Sequence, residues 1–252
     1  MTLKVDRLSR SFDGLRAVAD CSFEVRPGTI TALIGPNGAG KTTVFNLIAG
    51  FLRPDAGAVW FRGRRIDGLA PHRIARHGVV RAFQIPRDLR TMTVVESLKL
   101  VPPGQIGESP IQPFLRWRRI REQEAELAAS ARRTLALVGL SQMADAEVRT
   151  LSGGQKKLWE LARVLMSDAP MILLDEPAAG VNPALLQRIG EIVQQACRSG
   201  RTILLVEHNM KFVRTVAQHV IVMAEGTVLV EGPFSEIVAH PAVARAYLGR
   251  AA

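Results

Sequence analysis

Cysteine is scarce. The 252 residues hold two, Cys21 and Cys197, far apart and without a C-x-x-C pair. That sets aside a disulfide framework and a thiolate zinc site, and the expectation is two buried thiols in a reducing compartment. Long apolar runs are missing as well. None approaches the roughly 18 residues that a membrane-spanning helix needs, and runs such as residues 171–174 and 202–206 have the length of buried strands. The N-terminus, Met1-Thr2-Leu3-Lys4-Val5-Asp6-Arg7, lacks the apolar core of a signal peptide, so the chain is expected to stay in the cytosol. No internal repeat and no low-complexity tract interrupts it.

Acids are also in deficit, 23 against 33 lysines and arginines, for a formal charge of +10. Between Arg62 and Arg90 eight arginines face only Asp67 and Asp88, and a second group, Arg116, Arg118, Arg119 and Arg121, surrounds Trp117. Such an excess fits a nucleic acid, a membrane surface or membrane partner, or an arginine-rich solvated surface. Charge alone does not choose among them. With 47% hydrophobic and 22% charged residues, the chain reads as one large globular domain or a domain with an inserted lobe.

What the sequence does contain is concentrated in one stretch. Gly35-Pro36-Asn37-Gly38-Ala39-Gly40-Lys41-Thr42-Thr43 follows the apolar run 29–34 and leads into Val44-Phe45-Asn46-Leu47-Ile48. Strand, glycine-rich turn and helix in that order, with the spacing G-x-x-x-x-G-K-T, make a phosphate-binding loop. Glycines let successive N–H groups converge on one anion, and the helix N-terminus adds about half a positive charge there. Lys41 is placed to reach the β- and γ-phosphates, and the Thr42 hydroxyl to bind Mg²⁺.

Around this loop, strand and helix signals alternate. Residues 3–8 and 21–25 alternate like half-exposed strands, with Phe12 and an Asp13-Gly14 turn between them, and 58–61 and 78–84 read as further strands. From about 91 to 145 no strand signal appears. Residues 94–101 and 122–138 have helical spacing around a Pro/Gly-rich loop at 102–113, so this part reads as an inserted helical lobe leading to a helix at 152. Strand and helix patterns then resume: strand 171–174, helix 183–198, strand 202–206, helix 209–217, a hairpin over Glu225-Gly226, and short helices around 234–239 and 242–248. The expected fold is α/β, with a mostly parallel core sheet, an antiparallel edge and the inserted helical subdomain.

Three more constellations carry chemistry. Met171-Ile172-Leu173-Leu174-Asp175-Glu176 is an apolar strand ending in two acids. Beside a phosphate loop, Asp175 is placed to hold Mg²⁺ and Glu176 to accept a proton from, or orient, the water that attacks the γ-phosphate. Leu151-Ser152-Gly153-Gly154-Gln155 opens a helix with Ser152 as N-cap, and two glycines in its first turn suit bare N–H groups that must approach an anion. Thr202-Ile203-Leu204-Leu205-Val206-Glu207-His208 ends a buried strand on a histidine that can contact the γ-phosphate. Gln84, at another strand end, can sense Mg²⁺ or the water.

Together these residues resemble the nucleotide-binding domain of the ATP-binding cassette (ABC) family over nearly the whole chain, in the manner of a P-loop NTPase of ABC type. The resemblance implies that Phe12 stacks on adenine, that residues 35–43 are the Walker A loop, Gln84 the Q-loop and residues 151–155 the signature. It further implies that residues 171–176 are Walker B, 179–182 the D-loop and His208 the switch histidine. It implies two paired domains, with ATP and Mg²⁺ held between Walker A of one and Ser152, Gly153, Gly154 and Gln155 of the other. Asn182 departs from the aspartate usual in the family. The strings at 176–183 and 206–211, and the ending Pro241-Ala242-Val243-Ala244-Arg245-Ala246-Tyr247-Leu248-Gly249, look like the branched-chain amino-acid import ATPases. That resemblance implies permease partners on the cytoplasmic side of the plasma membrane, a second ATP-binding subunit and, indirectly, a solute-binding protein.

Two alternatives stand beside this reading. A lipopolysaccharide-type exporter ATPase shares the single-cassette layout. A soluble ABC ATPase acting on nucleic acid or ribosomes would use the basic charge, but such proteins usually carry two cassettes, long coiled-coil inserts or zinc-binding cysteines, and this chain has none of these.

Overall fold

Two strands of alternating character and a tight turn begin the chain. In the computed structural model, which describes residues 2–82, 89, 91–106 and 116–248, these are β1 (Leu3–Phe12) and β2 (Leu15–Val25). They pair antiparallel across Asp13 and Gly14, both at positive φ, the requirement of a type I′ hairpin turn. Both strands run longer than the alternation predicts. Register shifts beyond Val5 and Leu8, with Arg7 at φ 48°, break the period of two without ending the pairing. Strands β4 (Ala56–Phe61) and β5 (Arg64–Arg65) complete a four-stranded antiparallel sheet in the order β2-β1-β4-β5.

The second sheet has six strands. β3 (Ile30–Ile34), β6 (Val79–Arg81), β7 (Met171–Asp175), β8 (Thr202–Val206), β9 (His219–Ala224) and β10 (Thr227–Gly232) lie in the order β10-β9-β3-β8-β7-β6. All neighbours are parallel except the β9–β10 hairpin at the edge. β3 and β8 are buried at every residue, as strands covered on both faces must be. The apolar core joins Val18, Cys21 and Phe23 of the antiparallel sheet to Leu33, Leu173, Leu204 and Ile221 of the parallel one, with Val44, Phe45, Leu47 and Ile48 of helix α1 (Lys41–Ile48) among them. Both cysteines are buried, and burial with Asp20 nearby pushes the Cys21 thiol up to about 12. Helix α2 (Pro71–Arg76) escapes a periodicity reading because six residues span less than two turns.

The chain divides into two units, Met1–Arg81 with Pro170–Ala252, and Ala82–Ala169. The second contains α3 (Val94–Lys99), α4 (Trp117–Val138) and α5 (Gly153–Met166). α4 starts five residues before its predicted first residue, Glu122, because its first turns are exposed arginines that carry no apolar stripe. α5 is buried along Leu158, Trp159, Leu161 and Ala162. Trp159 is fully buried and its Nε1–H donates to Ser97 Oγ at 2.8 Å, while Ser97 Oγ donates to the Val94 carbonyl at 2.6 Å. Replacing Ser97 with Ala should cost about 1–3 kcal/mol, the penalty of a buried N–H left without an acceptor. A urea titration followed by tryptophan fluorescence measures it; a midpoint equal to the parent's would show that Trp159 finds another acceptor.

In the first unit, α6 (Pro183–Arg198) begins on the departure at Asn182. Its side chain caps the helix by accepting from Leu185 N–H at 2.8 Å, a role an amide fills as well as a carboxylate. α7 (Met210–Val216), α8 (Phe234–Ala239) and α9 (Pro241–Leu248) close the chain.

Candidate functional site

Sheet order builds the site. β3 lies between β8 and β9, and β8 lies between β3 and β7, all parallel. The C-terminal ends of β3, β8 and β7 are therefore neighbours, and the residues that follow them emerge at one sheet edge. Those residues are the loop 35–43 after β3, Glu176 after Asp175 at the end of β7, and Glu207 and His208 after β8.

The loop's glycines are required by what surrounds them. A Cβ on Gly35 (φ 147°) would stand 2.1 Å from the Met223 carbonyl oxygen, and one on Gly40 (φ 93°) 2.4 Å from that of Ala17. Gly40 is the N-cap of α1 and supplies no side-chain acceptor, which leaves the first-turn N–H groups uncovered by a cap. The buried Lys41 ammonium donates to the carbonyls of Gly35 at 2.7 Å and Pro36 at 2.9 Å. Burial lowers its pKa below that of an ordinary lysine, and the charge of Glu176 works against that shift. A cleft of about 460 Å³ opens over Asn37, Gly38, Ala39, Gly40, Lys41, Thr42 and Thr43, with Glu176 on its wall.

The sequence did not point to the rest of the wall, Leu15, Arg16 and Ala17 of β2 and the Glu225-Gly226 turn. The turn is held there by Gly226 N–H on the Ala39 carbonyl at 3.2 Å and by Ala19 N–H on the Gly226 carbonyl at 2.9 Å. No local pattern could reveal a wall made by long-range pairing. Phe12 is three residues from Leu15 across the hairpin, exposed, with Arg10 over its ring at 5.0 Å, and does not itself line the cleft.

Glu176 sits at φ 48°, in the left-handed region, its N–H bonded to the Val206 carbonyl and its own carbonyl accepting from Ala179. A non-glycine residue held there stores strain that the surrounding bonds enforce. His208 Nδ1 lies 3.8 Å from Glu176 Oε1, beyond a direct hydrogen bond. Beneath both is a carboxylate the sequence reading passed over. Fully buried Glu207 accepts from Ala178 N–H at 2.6 Å and from His208 and Asn209 N–H at 3.0 Å each, tying the loop after β7 to the loop after β8.

Asp175 Oδ2 pairs with Arg81 Nη2 at 2.5 Å. Thr42 hydroxyl and Asp175 carboxylate are hard oxygen donors, the set Mg²⁺ takes when most of its shell is water and phosphate oxygen. Among the described residues no three His, Cys, Asp or Glu side chains gather into a metal cage, and such a cation needs none. Gln84 lies outside the described residues. In the other unit, Ser152 caps α5 reciprocally with Gln155: Ser152 Oγ accepts from Gln155 N–H at 3.3 Å and Gln155 Oε1 from Ser152 N–H at 2.8 Å. Gly153 is in its first turn, where an added Cβ would meet nothing within 4 Å. The basic stretch from Arg62 is no uniform patch, since Arg65 forks onto Asp67 and Arg81 is buried against Asp175.

Comparison with known proteins gives the family. The ABC transporter family matches residues 18–179, and the branched-chain amino acid ATP-binding cassette transporter family matches residues 227–252. A probable branched-chain amino acid transport ATP-binding protein LivG of Archaeoglobus fulgidus is 43% identical over 247 residues, covering 98% of this chain and 95% of that protein. The high-affinity branched-chain amino acid transport ATP-binding protein LivG of Escherichia coli is 38% identical over 250 residues, covering 99% and 98%. The crystal structure of a nucleotide-free ATP-binding cassette from an ABC transporter superposes with a TM-score of 0.84 at 36% identity, over 99% of each chain. No helix among the described residues is long and apolar enough to cross a membrane. The chain belongs to the ATP-binding cassette ATPases of ABC transporters, in the group of the branched-chain amino acid transport ATP-binding proteins.

Proposed function

We propose that this chain binds and hydrolyses ATP to drive the import of branched-chain or related amino acids through separate permease subunits at the cytoplasmic face of the plasma membrane. The observation that carries the reading is the adjacency of three parallel strand ends, which supplies an anion cradle, two carboxylates and a histidine at one edge. Loop N–H groups and Lys41 hold the triphosphate, and Thr42, Asp175 and Gln84 are the residues that would hold Mg²⁺. When bound, the ion neutralises charge on the β- and γ-phosphates. Glu176 takes the proton of the attacking water or orients it, and His208 fixes that water against the γ-phosphate. Phe12 offers the adenine a ring at the hairpin beside Leu15.

The site is half complete in one chain. A second ATP-binding subunit supplies Ser152, Gly153, Gly154 and Gln155 to the triphosphate, and a solute-binding protein delivers the amino acid to the permease. Gly153→Ala separates fold from function. Alanine is the better helix former by about 0.5–1 kcal/mol and meets open space, so the melting temperature should hold or rise. If bare N–H groups must close on phosphate there, ATP-driven dimerisation and turnover should fall at least about tenfold, the effect of one lost charged contact. Light scattering with ATP, beside an ATPase assay, reads both; wild-type dimerisation would remove Gly153 from the interface. The transport reading itself is tested by affinity purification from membranes together with uptake of labelled leucine. Recovery of nucleic acid in place of a permease would overturn it.

A further inference from the structure

Arg81 is the last residue of β6 and a charge no motif accounts for. Its side chain is 9% exposed, and both ends of its fork are engaged: Nη2 on Asp175 Oδ2 at 2.5 Å and Nη1 on Asn46 Oδ1 at 2.6 Å. The guanidinium carbon lies 5.5 Å from the centre of the Phe51 ring, and Nε meets no acceptor among the described residues. Asn46 is four residues after Thr42 on α1, hence on the same face one turn further along. One buried cation thus grips the carboxylate at the end of β7 and the helix that carries the Thr42 hydroxyl. These are the two oxygen donors that the proposed site offers a divalent cation.

Burying a guanidinium is costly unless it serves its partner. Asp175, 20% exposed at a sheet edge beside further oxygen donors, would otherwise present a full negative charge to any passing dication. We propose that Arg81 is the resident counter-ion of Asp175, a positioning residue that fixes the carboxylate through Oδ2 and cancels its charge. The metal is then held only in company with nucleotide phosphates and not alone. The inference rests on the reading of Asp175 as the metal-facing carboxylate.

The test uses the full-length protein and Mn²⁺ alone, with free Mn²⁺ counted by electron paramagnetic resonance in the absence of nucleotide. Arg81→Met should bind Mn²⁺ at least about tenfold more tightly than the parent, a conservative reading of the repulsion removed between a guanidinium and a dication in a half-buried site. Arg81→Lys keeps the charge and should bind as the parent does. If the Met variant fails to fold, Arg81→Gln, which keeps a donor for Oδ2 and removes the charge, must show the same gain. Unchanged or weaker Mn²⁺ binding in the uncharged variants overturns the counter-ion role. Adding Asp175→Asn to the uncharged variant should abolish the gain. A gain that survives that second change places the metal elsewhere and overturns the reading of Asp175 instead.

Discussion

Replacing Glu176 with glutamine should lower ATP turnover by about 10²–10⁴-fold, the usual contribution of a positioned general base, while ATP-bound dimers accumulate. The change is nearly isosteric, and the backbone is set by bonds that do not involve the side chain. Glu176 N–H goes to the Val206 carbonyl at 3.0 Å, and Ala179 N–H to the Glu176 carbonyl at 3.1 Å. Glutamine at φ 48° bears the same strain as glutamate, so fold and cleft should persist and the lost property is the carboxylate. A second consequence is electrostatic. The Glu176 charge supports the protonated form of Lys41 against burial, so the variant should release the Lys41 proton at a lower pH than the parent does. Steady-state hydrolysis at saturating ATP, with size-exclusion light scattering on the same sample, checks the prediction. Turnover near the parent rate would mean that another group activates the water, and His208, 3.8 Å away, would be the first to examine.

The parts legible in the sequence were those written in short continuous runs. The loop at 35–43 announces its own backbone, because glycines and a lysine at fixed spacing have one common use. The runs at 171–174 and 203–206 are apolar throughout because both faces are covered, so their acidic and histidine exits stood out. What stayed hidden depends on partners distant in sequence. Arg81 and Asp175 are 94 positions apart, and only the parallel pairing of β6 with β7 brings them together. Glu207 reads as one more polar residue beside His208 until its three backbone donors are seen. The extension of β1 past Leu8 was masked by bulges, and the first turns of α4 by exposed arginines. In each case the period was disturbed although the hydrogen bonding continued.

Lys41→Ala should weaken ATP binding at least about a hundredfold, since each hydrogen bond to a charged group contributes about 1.5–3 kcal/mol. In the structure two of the three ammonium donors go to the Gly35 and Pro36 carbonyls, which bends the side chain back over the loop and holds the charge where phosphates would lie. Alanine removes both the charge and that brace. Arginine keeps the charge but is too large for a side chain already 9% exposed, so Lys41→Arg should also bind poorly. The parent's own pH dependence adds an independent check. Burial lowers the Lys41 pKa, so affinity for a fluorescent ATP analogue should begin to fall at a lower pH than an ordinary lysine would allow. Global unfolding does not explain such a fall through this group. A lysine whose folded pKa lies below its unfolded value binds fewer protons in the fold, so raising the pH through that window adds stability. Over the alkaline range in which binding falls, Lys41's own contribution to stability rises, whereas Cys21 and Tyr247, both pushed up by burial to about 12, contribute stability that is lost as the pH rises. Retained nucleotide affinity in Lys41→Ala would remove Lys41 from the phosphate site.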